Sequence, residues 1–245
     1  MAAETRAIRG VFITGTDTGV GKTLVGATLG RFFRQRGVDV GVMKPVETGV
    51  ADPAGLGPDG ALLRWASASS DPIELISPYR LSQPLAPAMA AKHDGVRIDL
   101  ERLVRSARKL AAAHEFLIVE GAGGLMVPLA GGFLMADLAA ALELPLLVVA
   151  RPSLGTINHT LLTVFAARGM ELPLAGVIIN NMPAEPDAAE AEAPHAIGSL
   201  ASADLLGVFP QVPGDAQQQV EQLVDHLAAA PTLPWLCSAL ALELP

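Results

Sequence analysis

The chain has 245 residues, 51% of them apolar, a formal net charge of -8 and one cysteine, Cys237. That length and composition fit one α/β domain with a large core, and the absence of any Lys/Arg block argues against sequence-independent nucleic-acid binding. A lone thiol allows no intrachain disulfide and no structural zinc site, which fits a reducing compartment.

The N-terminal MAAETRAIRG lacks the apolar core of a signal peptide, and every apolar stretch is broken by Gly, Pro or charge before membrane-spanning length. The expectation is a cytoplasmic protein with no membrane partner. Residues 1–9 read as a flexible tail, 10–230 as the domain and 231–245 as an apolar tail.

Within the domain, residues 11–14 are a β-branched and aromatic run ending at Gly15, the pattern of a buried strand. Leu24, Val25, Leu29, Phe32 and Phe33 then recur at helical spacing over 22–34, and Gly37 ends the pattern. A second strand is predicted over 38–43. Helices follow at about 60–68 and 100–113, a strand at 116–119, a helix at 135–142 and a strand at 146–150. A helix after Gly155, a strand over 175–179, a helix near 187–203, a short strand near 206–209 and a helix over 216–229 complete the order. Segments 51–58 and 183–194, rich in Ala, Pro and acid, read as solvent loops or a ragged helix start. The tail 231–245 has no basic residue and suits packing on the core or on a partner chain. Near-continuous apolar strands alternating with helices indicate a mostly parallel sheet with helices on both faces. Sites in such folds lie beyond the carboxyl ends of the strands.

The strongest local signal is Gly15-Thr16-Asp17-Thr18-Gly19-Val20-Gly21-Lys22-Thr23, between a strand and a helix. Backbone N–H groups in such a loop cradle phosphate oxygens, Lys22 reaches the β- and γ-phosphates, and the Thr23 hydroxyl can ligate Mg²⁺. The spacing is irregular: counted back from Gly21, the first-glycine position falls on Thr16. Asp17 has two readings, polarising a group in the site or organising the loop through nearby N–H groups.

Thirteen basic residues are Arg and only four are Lys, which makes Lys22 and Lys44 conspicuous. Lys44 follows the second strand and precedes Pro45. If that strand neighbours the first in parallel, the ammonium emerges beside the phosphate loop and can bind an anion; otherwise it is a solvated strand end. Glu120, predicted at the end of a strand and followed by Gly121-Ala122-Gly123-Gly124, is either a Mg²⁺ ligand or part of a capped turn. Asp59 at a helix start is explained by N-capping, with Mg²⁺ ligation as the sharper alternative. The helix start at Gly155-Thr156-Ile157-Asn158-His159 suits an anion or simple local capping. His93, His114, His195 and His226 show neither ligand spacing nor a partner acid in sequence.

Taken together these segments resemble the ATP-dependent dethiobiotin synthetases. The matching pieces are Thr14 to Thr18 with Val20-Gly21-Lys22-Thr23, Lys44-Pro45-Val46 with Thr48-Gly49, and Asp59 with Leu62. Val119 to Gly124 with Pro128-Leu129, Leu154-Gly155 with Ile157-Asn158-His159, and Gly176 with Asn180 extend the match over about residues 11–212. The irregular glycine spacing is how that family's loop reads. The resemblance implies a P-loop NTPase fold of about seven strands, a homodimer, Mg²⁺, and ATP, CO₂ or bicarbonate and 7,8-diaminononanoate as reactants. It implies a carbamate, then a carbamic–phosphoric anhydride, then closure of the cyclic urea of dethiobiotin. Lys44 and Lys22 would be catalytic, and Thr23, Asp59 and Glu120 would hold Mg²⁺. The nucleotide would meet Gly19, Val20, Gly21, Lys22, Thr23, Leu24, Asp59, Glu120, Gly121, Ala122, Gly123, Asn180, Asn181, Pro210, Gln211 and Val212. The diamine would meet Lys44, Thr48, Gly155, Ile157 and Asn158. Gly19 departs from the family, some of whose members carry an acid there.

Two rivals share this ATPase core. A cobyrinate-class amidotransferase would need a glutaminase Cys and His, and Cys237 lacks that context. A partitioning-type ATPase switch carries an extra lysine early in the loop, where this chain has Thr16-Asp17-Thr18.

Overall fold

Strand β1 (Gly10–Gly15) is buried at every residue and runs into the glycine-rich turn that opens helix α1 (Lys22–Gln35). In the computed structural model, residues 8–244 are described; the first seven residues of the predicted N-terminal tail and Pro245 lie outside the described residues. The chain continues through β2 (Val40–Met43), β3 (Val46–Thr48), α2 (Pro58–Ser67), α3 (Ile73–Ile76), β4 (Tyr79–Leu81), α4 (Pro87–His93) and α5 (Leu100–Ala113). Next come β5 (Phe116–Gly124), the short strands β6 (Pro128–Ala130) and β7 (Phe133–Leu134), α6 (Met135–Leu142), β8 (Leu146–Ala150) and α7 (Thr156–Gly169). The last elements are β9 (Leu174–Met182), α8 (Ala188–Leu200), β10 (Leu205–Pro210), α9 (Ala216–Ala229) and α10 (Leu233–Ala239).

Six parallel strands form the central sheet in the order β10-β9-β8-β1-β5-β2. Alternate residues of β1 feed its two faces, as the period of a strand requires. Val11 and Ile13 pack with Leu29, Phe32 and Phe33 of α1 and with Leu223 of α9. Phe12 faces the other way, among Leu103, Leu110 and Leu138 of α5 and α6. The strands are therefore apolar on both sides, which is why they read as unbroken hydrophobic runs.

The central sheet has six strands, against about seven expected. Val46–Thr48 does not extend the central sheet; it pairs in parallel with Tyr79–Leu81 as a separate two-stranded ladder. Pro45 interrupts the chain after β2, and a residue with no N–H cannot continue a ladder. The small strands β6 and β7, turned by Gly131 and Gly132 at φ 54° and 94°, were not legible either. Such a turn needs two positive φ angles, which the Gly-Gly pair supplies.

Segment 183–194 is an irregular connection followed, from Ala188, by the capped start of α8. Asp187 and Glu190 form a reciprocal capping box, and Pro194 lies inside α8. In the C-terminal tail, Leu236, Leu240 and Leu242 are buried against the α1 and α9 side of the core. His114, which showed no partner acid in sequence, has two: Asp39 and Asp71 lie 2.9 Å from its two ring nitrogens. No helix among the described residues is long and apolar enough to cross a membrane.

Candidate active site

The turn between β1 and α1 is held open for a ligand. Gly19 and Gly21 sit at φ 77° and 89°, and Gly21, which precedes α1, offers the helix no side-chain cap. The N–H groups of the first helical turn thus remain available to an anion. Glycine is also needed at position 21 for space, because a Cβ there would lie 2.1 Å from Asn180 Nδ2. That amide donates to the Val20 carbonyl at 3.1 Å and so ties the loop to β9. Asp17 takes the loop-organising role: its Oδ1 accepts the Thr18 N–H at 2.7 Å.

Beside the turn lies a cavity of about 340 Å³, walled by Lys22, Thr23, Lys44, Thr48, Asp59 and Glu120, with Gly19, Gly21, Ala122 and Gly123 on its rim. Lys44 Nζ is 2.6 Å from Glu120 Oε1 and 2.8 Å from Asp59 Oδ2. The Thr23 hydroxyl donates to the same Glu120 oxygen at 2.8 Å. Lys22 Nζ donates back to the Asp17 carbonyl at 3.1 Å.

The route that brings Lys44 here differs from the sequence expectation. The second strand is not adjacent to the first; β5 lies between β1 and β2. Glu120 does not end its strand either. β5 runs on to Gly124, and Glu120 pairs in register with Ile13. Lys44 reaches the phosphate loop by leaning across the carboxyl end of β5. Asp59 is not the N-cap of α2, since Gly57 holds that position and Pro58 opens the helix.

Charge is concentrated where water is scarce. Lys44 and Glu120 are 4% and 1% exposed, so both are buried ions. Burial works against the Lys44 ammonium, but Glu120 and Asp59 outweigh it and push its pKa above the ordinary lysine range. Burial pushes the Glu120 carboxyl up, with Lys44 pulling against it. Asp59 resists its own burial because Lys44 holds it low. Lys22 is lowered, first by burial and further by Lys44, with Glu120 opposing. A bound phosphate would restore the charge balance that burial removes from Lys22.

The donor set suits a small hard cation. Thr23, Asp59 and Glu120 offer oxygen atoms to one cavity, and the buried Glu120 Oε2 has no hydrogen-bond partner. Mg²⁺ is typically bound by one or two carboxylates plus substrate phosphates and water. Among the described residues no cluster of three His, Cys, Asp or Glu side chains forms an all-protein metal cage.

Other sequence-selected residues sit elsewhere. Asn180 is 2% exposed, with its Oδ1 unpartnered. Asn181, at φ 68°, and Gln211, whose N–H donates to the Met182 carbonyl at 2.7 Å, lie where β9 and β10 end beside the phosphate turn. Pro210 ends β10, Val212 packs on the core edge, and Leu24 lies on α1 just past Thr23. Gly121 is within β5, close against the Phe12 ring. Gly155 and Asn158 are exposed at the start of α7, with Ile157 half-buried between them. None of these three lines the lysine cavity. One residue escaped the sequence reading: Glu47, buried at 3%, accepts the N–H groups of Asp59 and Gly60. The signal available was a helix start, Gly57-Pro58, with no capping side chain of its own.

A family model described as an AAA domain matches residues 9–219. The "ATP-dependent dethiobiotin synthetase BioD" of Anaeromyxobacter dehalogenans is 46% identical over 222 residues, covering 91% of this chain and 98% of that protein. The chain belongs to the ATP-dependent dethiobiotin synthetases. The BioD of Bacillus subtilis is 40% identical over 223 residues, covering 90% of this chain and 95% of its own length. As a dethiobiotin synthetase the protein is an ATP-dependent ligase of biotin biosynthesis. Among solved structures, the MinD cell division protein of Aquifex aeolicus aligns at TM-score 0.53 and 14% identity over 95% of each chain. A ParA family ATPase from Chlorobium tepidum aligns at TM-score 0.52 and 19% identity, over 96% of this chain and all of that one. At such identities the likeness concerns the fold alone. This synthetase shares its overall fold with both.

Proposed function

We propose that the protein makes dethiobiotin from 7,8-diaminononanoate, CO₂ and ATP, with Mg²⁺, through a carbamate and a carbamic–phosphoric anhydride. The observation that carries this reading is the convergence of two buried ammonium groups, Lys22 and Lys44, on one cavity beside the phosphate turn. Each step develops or moves negative charge at that place. Carboxylation of one amine yields a carbamate, whose oxygen displaces ADP from the γ-phosphate. The second amine then attacks the activated carbonyl, the ring closes and phosphate leaves.

Lys44 binds the carbamate and the transferring phosphoryl group, and Lys22 holds the β- and γ-phosphates. Fixed cations in a site shielded from water stabilise such charge strongly, with no reorganisation at the moment of reaction. Thr23, Asp59 and Glu120 would hold Mg²⁺, which would neutralise phosphate charge. With Asp59 and Glu120 holding the metal, Lys44 would be left to the substrate. Ring closure needs little help, because a well-oriented intramolecular step gains roughly 7–11 kcal/mol from proximity. No nucleophilic side chain is required. The Asn180 Oδ1, buried and without a partner, supports a base site between the ends of β9 and β10.

The reading includes a cytoplasmic homodimer. Leu154, Leu162 and Phe165 stand 84%, 58% and 76% exposed on and before α7, a concentration of apolar surface that a second subunit would cover. Gly155, Ile157 and Asn158 on that face then receive the diamine carboxylate from across the interface, and Thr48 contacts the diamine from within its own subunit. Product analysis tests the whole reading. Incubation with diaminononanoate, bicarbonate, Mg²⁺ and ATP should yield dethiobiotin, ADP and phosphate in equal amounts. ADP release that needs neither diamine nor bicarbonate would refute it.

A further inference from the structure

Helix α2 carries Asp59 in its first turn yet has no cap of its own: Gly57 precedes it and Pro58 opens it. The missing cap comes from another element. Glu47, at the centre of β3, spans the gap with both carboxylate oxygens: Oε1 accepts the Asp59 N–H at 2.7 Å, and Oε2 accepts the Gly60 N–H at 3.1 Å. The alternation of the strand explains the division of labour. Val46 and Thr48 face the lysine cavity, and Glu47 between them points away from it, under the helix start. Local packing is shaped around this carboxylate. A Cβ on Gly57 would fall 2.3 Å from Oε1, so glycine at 57 leaves the space that Glu47 fills. Only 3% of Glu47 is exposed, so water cannot stand in for it.

From this geometry we infer that Glu47 is a positioning residue for the metal and phosphate site, acting through the backbone of Asp59. It touches neither Lys44 nor the cavity. It grips the N–H of the one residue whose side chain, 2.8 Å from Lys44, joins the α2 start to the charge cluster. Two charge-assisted hydrogen bonds from one rigid strand hold that helix turn in place, and outer partners of metal ligands act in this way. β3 thus contributes to the site twice, with Thr48 on the wall and Glu47 behind it. The inference rests on the proposed reading of Asp59 as a Mg²⁺ ligand.

The test uses the full chain with a non-hydrolysable ATP analogue and Mn²⁺ as probe, bound metal being read by electron paramagnetic resonance. Nucleotide affinity in EDTA and thermal stability are measured alongside. Glu47→Ala should weaken Mn²⁺ binding about 10- to 100-fold, the usual effect of removing an outer partner. Glu47→Gln, which keeps one acceptor but turns an amide toward the other N–H, should fall between the two and remain folded. Gly57→Ala should displace the Glu47 carboxylate and reproduce the Mn²⁺ defect with Glu47 intact. Nucleotide affinity in EDTA should stay near that of the unaltered protein. Because Glu47 acts only through Asp59, Glu47→Gln added to Asp59→Asn should weaken Mn²⁺ no further than Asp59→Asn alone. If Asp59→Asn weakens Mn²⁺ but Glu47→Gln does not, or if the two effects add in full, the positioning role is wrong and the metal reading stands. If Asp59→Asn itself leaves Mn²⁺ binding unchanged, both fall.

Discussion

Replacing Lys44 by methionine keeps the aliphatic stem and removes the charge, and the surroundings of that side chain set the cost. Glu120 would lose its partner at 2.6 Å and retain only the Thr23 hydroxyl, at 1% exposure. Removing one member of a buried ion pair costs about 3–5 kcal/mol, because the other charge is left unpaired. Asp59, 39% exposed at its side chain, can turn to water and adds little. Glu120 has one escape, which is to take up a proton. Burial already pushes its carboxyl upward, and without Lys44 nothing comparable opposes that push. A carboxyl whose folded pKa exceeds its unfolded value of about 4.3 destabilises the fold at high pH, and the penalty fades as pH falls toward that value. Lys44→Met should therefore cost most near pH 8 and least near pH 5, each pH unit in the titrating range changing stability by about 1.4 kcal/mol. Urea denaturation followed by circular dichroism, with EDTA present, measures this at several pH values. Glu120→Gln combined with Lys44→Met leaves a neutral pair and should recover most of the loss. A loss that does not depend on pH, or a double variant as unstable as the two singles summed, would refute this account of the pair.

Gly21→Ala and Gly19→Ala form a second comparison. Both place alanine at positive φ, worth about 1–2 kcal/mol of strain, but only at position 21 would the new Cβ strike Asn180. Denaturation and titration with a fluorescent ATP analogue should show Gly21→Ala the worse in both; equal effects would mean that the Asn180 contact is unimportant. His114 predicts a third result. Burial lowers its pKa, but Asp39 and Asp71 outweigh this and raise it. A raised histidine pKa stabilises fully below the unfolded value of about 6.5 and loses that contribution as pH rises through the folded value. The stability gap between the unaltered protein and His114→Ala should thus be widest on the acid side, while both aspartates are still ionised, and narrow toward alkaline pH. Asn158→Ala should raise the diamine KM about tenfold or more, as loss of a hydrogen bond to a charged group implies, and leave the ATP KM unchanged. An effect on ATP alone would place the carboxylate elsewhere.

The elements that periodicity identifies are those whose stability is largely local or whose burial is uniform. Met135–Leu142, Leu146–Ala150 and Ala216–Ala229 have the bounds that their apolar spacing implies. β3 and β4, three residues each, are too short to show a period, and α4 is little longer. Strand β5 is expected to end at Glu120, because the glycines that follow are common in turns. The strand instead runs on to Gly124 because β1 pairs with it up to Gly15, and Gly121 lies close against the Phe12 ring.

The sequence alone determined the phosphate turn, because it is local: Gly19 and Gly21 supply positive φ, and Lys22 and Thr23 follow at the start of a helix. It also determined the parallel class of the sheet, since strands buried on both faces must be apolar throughout. Only the tertiary structure decided that β5, not β2, lies beside β1, and that Lys44 meets Glu120 and Asp59 across it. It alone placed Glu47 under α2. Spacing along a chain reports contacts one or two turns away. A buried ion pair between residues 76 positions apart depends on strand order, and strand order leaves no period in the sequence.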